Sequence, residues 1–417
     1  MSSIPLLRGR TLTRSSVILI ASNLAGAALG FVLSIAVGRG LGEVALGNWT
    51  FCLAWAAILT ALCEFGLDTL LTRDAARSPQ NLNQLLMSSL AAKAILVTLT
   101  GGSMLLLAPE LGIDPVVSSA LRVVVLVTTA GCAFGSFSAV FRAQSWMEPI
   151  LALNVGGLSV QLLGSIWIIR SGGGVLPLIW MAGIVDTAQL LGAVALWYLR
   201  IRKLGGELNF SRSMIFQRLK QALPFALAGA IGSAQLRSGP IMLGYLRGPL
   251  EVGWFGAASR FSEAAKLIPY GIFGALYPVF ASEKDADHFN QINSILNILA
   301  AVLALGLCLL ASPILLLSYG TNFLPGVPIL VWLGVGILPS LSNGTRELYL
   351  YAVGDEAYAN GLRVVALVVQ LGAGVILVSY FGGAGLAVSL LLGEIAIWFP
   401  LRGRMRQRLN PLPAAQA

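Results

Sequence analysis

Arg39-Gly40-Leu41-Gly42-Glu43-Val44 follows the first long apolar run of this chain. Arg247-Gly248-Pro249-Leu250-Glu251-Val252 follows the seventh, 208 residues later. Four of the six positions are identical, and the spacing is close to half of the 417-residue length. Three further matches keep the same order and nearly the same offset. Phe65-Gly66 corresponds to Phe273-Gly274, Val160-Gln161-Leu162 to Val369-Gln370-Leu371, and Gly173-Gly174 to Gly382-Gly383. Each match is weak alone, but together they identify a duplicated chain.

What is duplicated follows from composition. Hydrophobic residues make up 57% of the chain and charged residues 11%, against about 25% charged in an ordinary soluble domain. The mean hydropathy is +0.82. Too little polar surface is available to clothe a soluble protein of this length, which excludes a cytosolic enzyme, a secreted domain and a disordered chain. Apolar runs of about 20 residues, long enough to cross a bilayer, recur twelve times between residues 15 and 401. They lack the alternation of barrel strands. The run from Val17 to Val37 follows three arginines and reads as a first span rather than a signal peptide. The expected fold is therefore all-α and polytopic, with about twelve transmembrane helices in two six-helix bundles. Six spans per half is an even number, so both halves enter the membrane in the same sense and the repeat is parallel. The expected domains are 1–200, a cytoplasmic linker 201–221, a second bundle 222–401 and a basic tail 402–417.

The net charge of +9 is mostly topology. With the N-terminus inside, the inner segments hold eighteen Lys and Arg, and the outer ones only Arg39, Arg170 and Arg247. Lys and Arg concentrate on the cytoplasmic side of membrane proteins, so both termini are expected there, and nucleic acid is not an expected partner.

Charges within the spans carry the functional reading, because an ionisable group at mid-membrane is costly and faces a cavity or a partner. The basic ones are Lys93, Arg122, Arg237, Arg260, Lys266 and Arg363; the acidic ones are Glu64, Asp186, Glu263 and Glu394. Arg122 lies near a helix end and can snorkel outward. Lys93, Arg237, Lys266 and Asp186 lie about nine or more residues from either end, too deep for that. Arg260, Glu263 and Lys266 share one helix face. Glu263 can pair with either neighbour, leaving one cation over. Asn154 and Gln161 in the fifth span match Arg363 and Gln370 in the eleventh, and Asp186 in the sixth matches Glu394 in the twelfth. Asn23 is the polar group of the first span. Lys93, Arg237, Arg260, Lys266 and Arg363 are the candidate cationic wall. Asn23, Asn154, Asp186, Glu263 and Glu394 are candidate cavity or ion-coupling groups. A net positive cavity favours an anion such as a phosphate or diphosphate.

The four cysteines, Cys52, Cys63, Cys132 and Cys308, lie in apolar runs without CxxC spacing, and His288 is the one histidine. No metal site, cofactor site or nucleophile–base pair is expected.

Three segments carry a family resemblance. They are Leu41-Gly42-Glu43-Val44-Ala45-Leu46-Gly47-Asn48-Trp49; the run from Phe65-Gly66-Leu67 to Arg73-Asp74-Ala75-Ala76-Arg77; and Val252-Gly253-Trp254-Phe255-Gly256-Ala257-Ala258-Ser259-Arg260, preceded by Leu223-Pro224 and Met242-Leu243-Gly244-Tyr245. They resemble the lipid-linked oligosaccharide flippases of the multidrug/oligosaccharidyl-lipid/polysaccharide exporter superfamily. The resemblance implies alternating-access export of a polyprenyl-diphosphate-linked glycan across the bacterial inner membrane, with a central cationic cavity. Glycosyltransferases and a polysaccharide polymerase would be its functional partners. The alternatives are a cation-coupled multidrug exporter of the same fold and, further off, a membrane polysaccharide polymerase or ligase. Short outer loops with three Arg and no His argue against the last.

Overall fold

Pro5–Glu64 forms 60 residues of nearly unbroken helix, too long for one crossing, and the break comes at Gly42 (φ 84°, ψ −179°). That backbone is open to glycine and strained for other residues. The first two spans, 5–41 and 43–64, are thus joined by a one-residue turn. Glu356–Leu409 divides the same way at Gly382 (φ 56°, ψ −135°) into spans eleven and twelve. The computed structural model describes residues 5–107, 115–202, 206, 212–282 and 286–409, and among these no strand occurs. Between the two divided helices lie Leu82–Leu107, Pro115–Ala143, Glu148–Arg170, Val175–Arg200, Arg212–Arg247, Pro249–Ser282, Ala286–Ser318 and Val327–Ala352, spans three to ten. Among the described residues, eight helical stretches, two of them the divided ones, are long and apolar enough to cross a membrane. Spans seven and eight, at 36 and 34 residues, are long enough but carry more charge. The chain is a multi-pass, all-helical membrane protein.

The repeat is visible in the turns. Left-handed backbone recurs at Gly42 and Gly248, at Ser145 and Gly354, and at Gly172 and Gly382, so both halves reverse at corresponding places. One sequence match does not extend to structure. Phe65 (φ 47°) and Gly66 (φ 67°) end span two and start the short helix Leu67–Arg77. At Phe273-Gly274 the helix Pro249–Ser282 runs straight through.

The chain divides into two compact units, Met1–Leu41 with Phe51–Arg237, and Gly42–Thr50 with Ser238–Ala417. The first is organised around Leu71, Leu82, Leu86, Phe141 and Trp197. Asn83 Nδ2 ties it together by donating to the carbonyls of Arg202 (2.7 Å) and Gly206 (2.8 Å). In the second unit, Phe280, Phe289 and Tyr349 form a triangle of rings with centroids 5.3–5.8 Å apart. There too, Gly47 and Gly253 let two helices meet backbone to backbone. A methyl group on Gly47 would land on the Pro249 carbonyl, and one on Gly253 on that of Glu43. The repeat-related Glu43 and Glu251 each hold a turn. Glu43 accepts from Asn322 Nδ2 (3.3 Å) and Glu251 from the Gly383 amide (2.9 Å).

The turn after span ten is tied to the end of span twelve. Arg404 donates to both Asp355 oxygens (2.8 and 3.2 Å), and Arg408 adds a third bond (3.0 Å). Hydrogen bonds from Arg404, then Arg408, hold the Asp355 carboxyl below its usual range. A carboxyl whose folded pKa lies below its unfolded value of about 3.9 stabilises the fold above that value. The contribution is lost as pH falls through the depressed folded pKa. Asp355→Asn is expected to lower the thermal midpoint at neutral pH and to make the midpoint less sensitive to acidification below about pH 4. Identical acid profiles for the two proteins would contradict the tie.

Candidate functional site

Each unit holds a cluster of charge within its spans. In the first unit, Lys93 of span three is 2% exposed. Its Nζ lies 2.7 Å from Asp68 Oδ1 and 2.6 Å from the Cys132 carbonyl, and Ser136 Oγ donates to the same Asp68 oxygen (3.3 Å). Asp68 is brought there by the break at Phe65-Gly66, which turns the short helix Leu67–Arg77 against spans three and four. Gly135 provides the room, since a side chain there would collide with Asp68 and press on Glu64. Lys93 is therefore neutralised inside the first unit and presents no free charge to a cavity.

In the second unit, Arg363 of span eleven grips two carboxylates. Nη2 lies 2.6 Å from Glu347 Oε2 and Nη1 lies 3.0 Å from Glu394 Oε1. Asn343, one turn before Glu347, donates to Glu394 Oε2 (2.7 Å) and to its carbonyl (2.8 Å). One guanidinium thus joins spans ten, eleven and twelve. Glu347 is 6% exposed, and its Oε1 has no hydrogen-bond partner among the described residues.

The other residues singled out from the sequence are more open. Arg260 Nη1 meets Glu263 Oε2 at 3.3 Å, with the Glu263 side chain half exposed. Lys266, two turns beyond Arg260, is half-buried and bonds no described residue. The same holds for Arg237 of span seven, and for Asn154 and Asp186. Asn23 and Arg122 are exposed. The unit division brings Arg260, Lys266, Arg363 and Glu394 into one unit and Lys93, Arg237, Asn154 and Asp186 into the other. Among the described residues, no group of three His, Cys, Asp or Glu side chains is arranged to hold a metal ion.

Sequence reasoning missed Asp68, Asn343, Arg346 and Glu347. Asp68 was taken as the end of span two. Asn343 lies close to the end of the tenth apolar run, which closes at residue 345, and Arg346 and Glu347 lie just beyond it, whereas the helix continues to Ala352. The signal was the apolar run Leu348-Tyr349-Leu350-Tyr351-Ala352, which carries the helix on and buries Glu347 four residues after Asn343.

The family model described as "Polysaccharide biosynthesis protein" matches residues 12–284. A candidate O-antigen transporter of Shigella dysenteriae is 26% identical over 224 residues, which cover 49% of this chain and 53% of that protein. The chain thus spans about half the length of the curated relative it matches. Among solved structures, the inward-facing conformation of a multidrug resistance MATE family transporter of the MOP superfamily superposes with a TM-score of 0.76 at 16% identity. The match covers 96% of this chain and 100% of that one. The inward closed conformation of the lipid II flippase MurJ gives 0.74 at 15% identity, over 93% and 87% of the two chains. At such identities the likeness is one of fold.

Proposed function

The chain belongs to the polysaccharide biosynthesis protein family, and from that premise we propose that it is a transporter of lipid-linked glycan. It moves a polyprenyl-diphosphate-linked oligosaccharide from the inner to the outer leaflet of a bacterial inner membrane by alternating access. The product feeds cell-surface polysaccharide synthesis by glycosyltransferases and a polymerase. No bond is made or broken by the carrier itself, and both termini lie in the cytoplasm.

The observation that carries this reading is a cation within the spans of each unit, Arg237 in the first and Lys266 in the second. Both are half-buried in spans, deep from either end, and neither has an ion pair among the described residues. A cation held within the membrane without a carboxylate is stabilised by an anionic ligand. With Lys93, Arg260 and Arg363 each bound to a carboxylate, Arg237 in the first unit and Lys266 in the second are the cations left for an anionic group. Asn23, Asn154 and the unpaired Asp186 are the polar groups left for sugar or a coupling ion. Asp186 is also the observation that favours the second reading, a cation-coupled exporter of small molecules.

Arg237→Gln and Lys266→Gln are each expected to reduce export of surface polysaccharide by about tenfold, the worth of one charge-assisted hydrogen bond. Arg122→Gln, at an exposed position, is expected to leave export near wild type. The measurement is complementation of a flippase-deficient strain, with equal membrane levels of each variant. Equal tolerance of all three substitutions would remove the reading.

A further inference from the structure

The second unit contains a cavity of about 980 Å³ between the start of span nine, the end of span ten and the end of span twelve. Three of its lining residues are Arg346, Arg402 and Arg406, and no acid lines it among the described residues. Arg346 is 7% exposed. Among the described residues it donates only to the carbonyl and hydroxyl of Ser342, one turn earlier (3.1 and 2.7 Å). Its guanidinium and that of Arg402 each lie 5.3 Å from the ring of Trp398. Ring contacts hold these cations in place without neutralising them. A buried guanidinium with no counter-ion is costly, and an anion in the cavity would remove the cost.

The opposite wall is amide. Asn290, Asn293 and Asn297 lie three and four residues apart on one face of span nine, and all three line the cavity. The Asn293 side-chain oxygen is buried and has no hydrogen-bond partner among the described residues, so the wall calls for a donor as well as an anion. Toward the bilayer the cavity is apolar. Leu338 (39%), Ile395 (41%) and Phe399 (68%) line it while remaining exposed on the surface of spans. Phosphate and hydroxyl at one end and hydrocarbon at the other describe a lipid rather than a soluble metabolite.

The duplication supplies an internal comparison. At the 208-residue offset, Asn290 and Asn293 correspond to Leu82 and Leu85, and Trp398 and Arg402 to Leu190 and Val194. Those four side chains pack together in the hydrophobic core of the first unit. The first copy of the repeat thus packs hydrocarbon into most of this corner and leaves a cavity of about 360 Å³, whereas the second opens about 980 Å³ and lines it with cations and amides.

We propose that this cavity binds an anionic glycerophospholipid whose headgroup carries a hydroxyl. Its phosphate lies among Arg346, Arg402 and Arg406, its hydroxyl on the asparagine face, and its acyl chains along Ile395 and Phe399. The site lies wholly within the second unit and is independent of the glycan reading.

The test uses the full chain in detergent with phosphatidylglycerol, phosphatidylethanolamine or free glycerol 3-phosphate as the probe, and bound lipid is counted by native mass spectrometry. The wild type is expected to retain phosphatidylglycerol in preference to phosphatidylethanolamine and to bind free glycerol phosphate far more weakly. Arg346→Gln is expected to weaken phosphatidylglycerol binding about tenfold. Because Arg346 is buried, the exposed-rim variant Arg406→Gln is measured alongside; it is expected to weaken binding in the same direction with the fold intact. Arg122→Gln should bind as the wild type does. Equal retention of phosphatidylglycerol by the wild type and Arg406→Gln would overturn the proposal. So would equal binding of the zwitterionic lipid, or binding of free glycerol phosphate as tight as that of the lipid.

Discussion

Arg363→Met is expected to be the most damaging single substitution in the second unit, costing about 3–5 kcal/mol, the range for removing one partner of a buried ion pair. Here one guanidinium serves two carboxylates, Glu347 at 2.6 Å and Glu394 at 3.0 Å. Its loss strands both among three spans. Asn343 still donates to Glu394, so Glu347, already lacking a partner for Oε1, bears the greater penalty. The measurement is denaturant or thermal unfolding in detergent. The triple variant Arg363→Met/Glu347→Gln/Glu394→Gln is expected to recover most of the loss, because it removes the stranded charges rather than restoring the bonds. A single variant as stable as the wild type would show that the three groups do not act as a unit.

Lys93→Met is expected to cost a similar amount in the first unit, about 3–5 kcal/mol. It leaves the Asp68 carboxylate, 9% exposed, with only Ser136 from the present set of donors. The double variant Lys93→Met/Asp68→Asn should regain most of that stability, and the cycle of single and double variants isolates the pair's coupling. The same cycle separates two roles for Lys93. If the lysine serves the fold through Asp68, export recovers with stability in the double variant. If it serves the substrate, stability recovers and export does not. The 2.7 Å pairing favours the first outcome.

These two clusters mark the limit of what the sequence made legible. The helical class, the span count and the parallel duplication were all readable, because a bilayer imposes length and apolarity on each crossing. The one-residue turns were half readable. Gly382 is matched by Gly173 in the repeat, but in the first turn the matched glycine is Gly40, whereas the chain breaks at Gly42. The depth of Lys93 and the position of Arg363 within a span were also readable, since both follow from counting along a helix. Their partners were not. Whether Asp68 or Glu64 reaches Lys93 depends on the turn at Phe65-Gly66 and on how spans three and four are rotated about their axes. Neither quantity has a signature in one strand of sequence. Span ten shows a second kind of limit. Drawing its end before Arg346 and Glu347 took both for surface residues, and a shift of seven residues moved them into the interior.

The placement of residues 42–50 bears on how the protein is made. These residues are encoded in the first half of the chain but belong to the second unit, where Gly47 meets Pro249 and Glu43 holds Asn322. They leave the ribosome about two hundred residues before their neighbours at 249–253. During synthesis, where chains fold from the N-terminus onward, this piece waits in the membrane until the later spans arrive and close around it. A second half produced alone would lack part of its own interior. Splitting the gene at the midpoint of its duplication would therefore yield one unit with a missing strip of backbone, and co-expression of the two fragments would be needed to supply it.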